Sequence, residues 1–244
     1  MIKGFLFDLD GTLVETEALK AESYAKAAVK LKPALSEEEV VEGFKDFVGL
    51  SREQVSTGLM KRFGLEEIAR SKMEEFAVHQ PWEAFAHVRL EIYHVLISDP
   101  EVINSHLCLH SLELLKWARE NKYPTGLATQ SHRPQTLRIL EMLKITKDFD
   151  SIFTREDVDN PKPDPEIYLL LAGELNISPE ESLVIEDSAT GIQSALAAGM
   201  HCIAVTTDFT RKGVHQMNRF DKRWIVDSPS SLMGVVHSLL RETS

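Results

Sequence analysis

The run FLFDLDGTLVET, residues 5–16, decides how the rest of the chain is read. Two aspartates, Asp8 and Asp10, break an apolar run one residue apart, and Gly11 and Thr12 follow at once. The preceding stretch IKGFLF, residues 2–7, has the length and continuous apolar character of a short buried strand. In an open α/β sheet, ligands bind beyond the carboxyl ends of the strands, near the point where strand order reverses. Asp8 and Asp10 fall at such an edge. Two carboxylates there repel each other unless a cation or a proton is shared. Magnesium supplies that charge, and it takes a few carboxylates together with substrate phosphate oxygens. A third carboxylate then belongs at the same edge, and SLVIEDSATG offers Glu186 and Asp187 at the end of another expected strand.

Outward from this stretch the chain changes character twice. Residues 15 to about 100 read as helices. SEEEVVEGFKDF, SREQVSTGLMKRFG and EEIARSKMEEFAVHQPWEAFAHVRLEIYHVLI all carry apolar residues at three- and four-residue spacing. Ser36 and Ser51 are candidate N-caps, Ser36 with Glu39 in capping-box register, and Gly64 is a candidate helix end. Trp82, Phe85 and Tyr93 read as the core of this region. From about residue 108, helices alternate with short strands: PTGLAT, SIFTRE, SLVIED, HCIAVTT and RWIVD are the strands. That alternation means a parallel sheet wound on both faces. The expected architecture is α/β, a Rossmann-like parallel sheet core of residues 1–14 and 101–244, with a helical-bundle cap of residues 15–100 inserted after the first strand.

Two further strand ends carry polar groups. GLATQS places Thr129, Gln130 and Ser131 at one of them, and DNPKPDPEIY sets Lys162 between two prolines just before a helix. The prolines restrict the local backbone, which favours a defined direction for the lysine. A nucleophilic carboxylate, an acid, a hydroxyl, a lysine and a metal pocket together make a phosphoryl-transfer site.

Composition excludes several classes. A net charge of −11 repels nucleic-acid backbones, but a small anionic substrate is admissible if the site itself holds cations. The two cysteines, Cys108 and Cys202, form no C-x-x-C pair, which speaks against a disulfide framework or a thiolate zinc site. His106 and His110 stand four apart, a spacing that ligates zinc on a helix, yet no HExxH glutamate or third ligand accompanies them. No apolar run is long enough for a membrane span, and the N-terminus is too short for a secretory core, so the cytoplasm is the expected location.

The order DLDGT, Thr129, KPDPEIY, IEDSATGI resembles the haloacid dehalogenase superfamily, in particular its phosphatase and β-phosphoglucomutase-like members with a helical cap after the first motif. The resemblance spans essentially the whole chain. It implies that Asp8 attacks phosphorus and forms an aspartyl-phosphate, and that Asp10 protonates the leaving oxygen and then activates water. It implies that Thr129, Gln130 and Lys162 hold the phosphoryl group. The magnesium ligands it implies are Asp8, the main chain of Asp10, and Asp187, with Glu186 as a direct or water-mediated contributor. Dehalogenases and phosphonatases of the superfamily lack the second aspartate, so Asp10 favours phosphate esters.

The stretch VGLSREQVSTGL is similar to the cap loop of the β-phosphoglucomutase group, which would bring Arg52 to the distal part of a substrate. Lys20 stands where that group carries a histidine. The expected function is hydrolysis of a small phosphorylated metabolite, a sugar phosphate in the first instance, by a monomer with neither nucleic acid nor membrane as partner. The alternatives are phosphate isomerisation of the β-phosphoglucomutase type and a non-catalytic binding protein of the same fold.

Overall fold

The computed structural model describes residues 1–48 and 50–244. Gly49, in the VGLSREQ stretch, lies outside the described residues. The chain divides into two compact units, Met1–Glu15 with His106–Ser244, and Thr16–Ser105. The sequence-based division was drawn at residues 14/15 and 100/101. The second crossing lies further along because the short helix Pro100–Ser105 groups with the helical unit. The two crossing segments are tied to each other where they leave the sheet: Glu15 N donates to His106 O at 2.8 Å, and Cys108 N to Leu13 O at 3.0 Å.

The first unit is α/β. Its strands are β1 (Gly4–Phe7), β2 (Thr125–Ala128), β3 (Ser151–Phe153), β4 (Ser182–Glu186), β5 (His201–Val205) and β6 (Ile225–Val226). They form one parallel sheet in the order β3-β2-β1-β4-β5-β6, so β1 is central and the order reverses between β1 and β4. Every residue of β1, β2 and β4 is buried. That explains their uninterrupted apolar reading, since a parallel sheet is covered on both faces. On one face Leu6 and Val184 join Tyr168, Leu171, Ile192 and Ala195 in a core cluster. On the other, Phe5 meets Tyr123 edge-on at 5.0 Å and Trp117 at 6.0 Å, and Phe7 meets Phe149 at 6.3 Å. Each such ring contributes on the order of 2 kcal/mol of burial.

The helices of this unit are Leu109–Glu120, Arg133–Leu143, Glu166–Glu174, Ala189–Ala197, Arg211–His215 and Leu232–Glu242. In chain order after the six helices of the other unit they are α7 to α12. The alternation of helices with strands expected from about residue 108 holds, and the five residues of α11 are too few to show a period in sequence.

The helical unit holds α1 (Thr16–Leu31), α2 (Glu37–Phe44), α3 (Arg52–Phe63), α4 (Glu66–Ser71), α5 (Pro81–Leu96) and α6 (Pro100–Ser105). Ser36 and Ser51 both cap as expected, with Glu39 and Gln54 closing capping boxes, and Gly64 ends α3 at φ +63°. Helix α1 packs on α2 and α5, and α3 and α4 pack on α5. Tyr24 sits centrally, its ring 5.6 Å from Phe44 and 5.7 Å from Phe85. Phe85 and Tyr93 are buried, whereas Trp82 is half-buried. The segment 66–97 does not keep the single periodic character it has in sequence. It breaks between α4 and α5, where Ala77 takes φ +51° and Pro81 opens the second helix with its missing N–H at no cost. Among the described residues no helix is long and apolar enough to cross a membrane.

Candidate active site

The sheet order sets the site. β1 ends at Phe7, and Asp8 continues its ladder by donating N–H to Ile185 O at 3.0 Å. Thr129 follows β2 directly, and Glu186 closes β4 with Asp187 next to it. Three neighbouring strands therefore deliver their polar termini to one edge, at the reversal of strand order.

The turn after β1 makes room for this. Leu9 O accepts the N–H groups of Leu13 and Val14, and Gly11 N donates to Val14 O at 2.7 Å. Gly11 has φ +79°, and a Cβ there would lie 2.0 Å from Asp187 Oδ2, so backbone and space both require glycine. Gly191 in α10 is required for space alone. Its missing Cβ would lie 1.8 Å from Glu186 Oε1.

Five charged groups meet here: Asp8, Asp10, Lys162, Glu186 and Asp187. Lys162 Nζ, with its side chain 3% exposed, donates to Asp8 Oδ1 at 2.8 Å, Ala128 O at 2.9 Å and Glu186 Oε1 at 2.6 Å. All three ammonium protons are thereby used. Glu186 is fully buried and both its oxygens are engaged. Oε1 also accepts from Tyr168 Oη at 2.9 Å, and Oε2 accepts from the N–H groups of Asp187 and Ser188 and from Ser188 Oγ. Asp10 is held separately: its Oδ2 accepts from Thr129 Oγ1 at 3.0 Å and Ser131 Oγ at 2.7 Å. Thr129 Oγ1 in turn accepts from Ser131 N at 3.0 Å, which fixes the turn into α8.

Burial is the main reason the Asp8 carboxyl sits well above its ordinary pKa. The ammonium of Lys162 opposes that rise, while Glu186 and Asp10 add to it. Burial also works against the Lys162 charge, but Asp8 and Glu186 outweigh it and hold this lysine above its usual range. Carboxylate oxygens of Asp8, Glu186 and Asp187 lie within 4.8 Å of one another, and Lys162 is the cation bonded into the group. Three carboxylates against one ammonium leave a deficit of positive charge that a hard divalent cation with oxygen ligands fits.

The structure thus brings together Asp8, Asp10, Thr129, Lys162, Glu186 and Asp187. Gln130 follows Thr129, and no acceptor faces its buried Nε2 among the described residues. Lys20 and Arg52 lie in the helical unit, where Lys20 Nζ pairs with Glu17 Oε1 at 2.6 Å and Arg52 is the exposed first residue of α3. His106 precedes α7 in a turn, so it shares no helical face with His110, whose ring instead pairs with Glu113 at 3.1 Å. Both cysteines are free thiols.

Sequence reasoning missed Ser131 and Tyr168 at the site, and the buried Arg89 of the helical unit. Ser131 stood in the quoted GLATQS without a role. Tyr168 fits the apolar spacing of α9 and reads as core. Arg89 is 5% exposed between Tyr24 and Tyr93, its guanidinium carbon 4.9 and 4.2 Å from their ring centres. Only its place between apolar residues of α5 hinted at burial.

Comparison with known proteins shows the family to which this fold belongs. The family model for haloacid dehalogenase-like hydrolases matches residues 5–205. A phosphorylated carbohydrates phosphatase of Thermotoga maritima is 27% identical over 204 residues, 83% of this chain and 84% of its own. A phosphoglycolate phosphatase of Salmonella typhi is 29% identical over 243 residues, 97% of this chain and 94% of its own. The fold matches that of a β-phosphoglucomutase from Clostridium difficile, with a TM-score of 0.69 at 23% identity over 100% of this chain and 97% of that one. With a family match across most of its length and the paired aspartates at the end of its central strand, the chain belongs to the haloacid dehalogenase-like hydrolases.

Proposed function

We propose that this hydrolase is a magnesium-dependent phosphatase acting on a small phosphorylated metabolite, a sugar phosphate in the first instance, through an aspartyl-phosphate on Asp8. The observation that carries the reading is the Lys162 ammonium held between Asp8 and Glu186, beside an Asp10 carboxylate fixed by two hydroxyls. The phosphatase relatives support the substrate class.

In this reading Asp8 attacks phosphorus through a carboxylate oxygen and expels the alcohol. Asp10 gives the alcohol its proton and later takes one from the water that bonds to phosphorus and frees phosphate from Asp8. Lys162, Thr129 and the Gln130 amide hold the phosphoryl oxygens; Gln130 Nε2 is a buried donor that such an oxygen would satisfy. Asp8, Asp187 and the main-chain carbonyl of Asp10 would hold magnesium. Glu186, committed to Lys162, Tyr168 and Ser188, holds the lysine in place and completes the acidic cluster. When bound, magnesium offsets the charge of Asp8 and of the phosphate oxygens. Arg52 and Lys20 carry substrate selectivity, and the enzyme works as a cytoplasmic monomer without nucleic-acid or membrane partners.

A panel of sugar, polyol and small organic-acid phosphates, assayed with magnesium and with EDTA, tests the reading. Phosphate release that EDTA abolishes is expected. Conversion of glucose 1-phosphate to glucose 6-phosphate without release would instead favour the mutase. Asp8→Asn separates an enzyme, which loses turnover, from a binding protein, which keeps its ligand affinity.

A further inference from the structure

We propose that Tyr168 is a positioning residue that sets where the Lys162 ammonium rests between Asp8 and Glu186, a role that builds on the phosphoryl-transfer reading above. Tyr168 is wholly buried in α9 and touches the pair in two ways. Its hydroxyl donates to Glu186 Oε1 at 2.9 Å, and its ring centre lies 4.9 Å from Lys162 Nζ. The same oxygen, Glu186 Oε1, therefore serves two donors, the phenol and the ammonium at 2.6 Å.

The other carboxylate oxygen cannot swing to compensate, because three donors from Asp187 and Ser188 hold it. The position of the lysine is thus a balance. The phenol draws part of the electron density of Oε1, which leaves the ammonium free to share itself with Asp8 and Ala128 O. Removing the phenol leaves Oε1 to Lys162 alone and draws the ammonium off Asp8. The ring face stabilises the desolvated charge from a fourth direction. Lys162 and Tyr168 also come from one short segment. Tyr168 N bonds to Pro165 O at 3.1 Å, and Ser194 Oγ ties Asp164 O to α10 at 2.6 Å. Burial, reinforced by the charges of Glu186 and Asp8, keeps the phenol protonated and hence a donor.

A tyrosine that merely filled the core would lower stability on substitution and leave turnover alone. Tyr168→Phe keeps the ring and removes only the donor, and Tyr168→Leu removes both. The positioning role predicts that Tyr168→Phe lowers kcat roughly tenfold to a hundredfold, the worth of one hydrogen bond to a charged acceptor, with KM within about twofold. Tyr168→Leu falls further. Independently of any substrate, the Lys162 ammonium resonance in isotope-labelled protein, assigned by its loss in Lys162→Met, should shift in Tyr168→Phe. An unmoved ammonium resonance, or a wild-type kcat in Tyr168→Phe whatever its melting temperature, overturns the proposal. If the wild-type protein hydrolyses no phosphate ester, the functional reading fails, and the ammonium resonance still decides the role of Tyr168.

Discussion

Lys162 Nζ lies 2.8 Å from Asp8 Oδ1, although 154 residues separate the two in the chain. Both side chains are more than nine-tenths buried, so each charge depends on the other and on Glu186 to offset its desolvation.

Lys162→Met should therefore cost more than activity. It leaves Asp8 and Glu186 buried side by side without their cation. Stability to urea should fall by about 3–5 kcal/mol, the scale for breaking a buried ion pair from one side. Magnesium in excess should restore part of this loss, because a ligand that binds only the folded state raises its stability. Urea titrations with and without magnesium check both.

Asp10→Asn should behave differently. Its Oδ2 takes two hydroxyls that an amide oxygen can also accept. The fold should survive with an unchanged melting temperature. Phosphate release should drop by roughly 10²- to 10⁴-fold, the range for a lost general acid and base. Steady-state kinetics beside a thermal melt separates the two effects.

The glycines give a comparison within one chain. Gly191→Ala must displace the Glu186 carboxylate, and Gly11→Ala both meets Asp187 and forces a side chain onto φ +79°. Each should lower stability by about 1–3 kcal/mol and abolish most activity. Gly234, inside α12, has nothing within 4 Å of an added Cβ. Gly234→Ala should raise stability by about 0.5–1 kcal/mol with unchanged kinetics. Denaturant titration of the three variants checks the contrast.

The thiols should be silent at neutral pH. Burial, with the charges of Glu15 and Asp187 adding, pushes Cys108 up to about 12, and burial likewise raises Cys202. The folded chain therefore keeps these protons where the unfolded chain gives them up from its ordinary value near 8.5. Stability from this source is intact below about pH 8.5 and is lost as pH rises toward 12. A thiol reagent at pH 8 should modify buried Cys202 only after denaturant is added, and half-buried Cys108 only slowly in the native protein; fast modification of native Cys202 would contradict the burial described.

Much of this was legible in sequence because it is local. Strands β1, β2 and β4 are apolar runs closed by a polar residue, and those closing residues, Asp8, Thr129 and Glu186, meet at the candidate site. Ser36, Ser51 and Gly64 could be read because a cap is satisfied within three or four residues. What escaped depends on distant partners. Ser131 matters because Asp10, 121 positions away, lies opposite it, and Tyr168 matters because Glu186 does. Glu186 was read as a contributor to metal binding because its residue type and strand position fit. Its five accepted hydrogen bonds come from groups whose placement only the fold determines. The break before Pro81 was visible as a proline, but the apolar spacing on both sides of it masked the stop.

Trapping with borohydride during turnover, followed by mass spectrometry of the proteolysed chain, tests the central claim most directly, since the reagent converts an aspartyl-phosphate to homoserine. Homoserine at position 8, formed only when a phosphate ester and magnesium are present, is the predicted result. Reduction at any other acidic residue, with Asp8 intact while phosphate is being released, would contradict it.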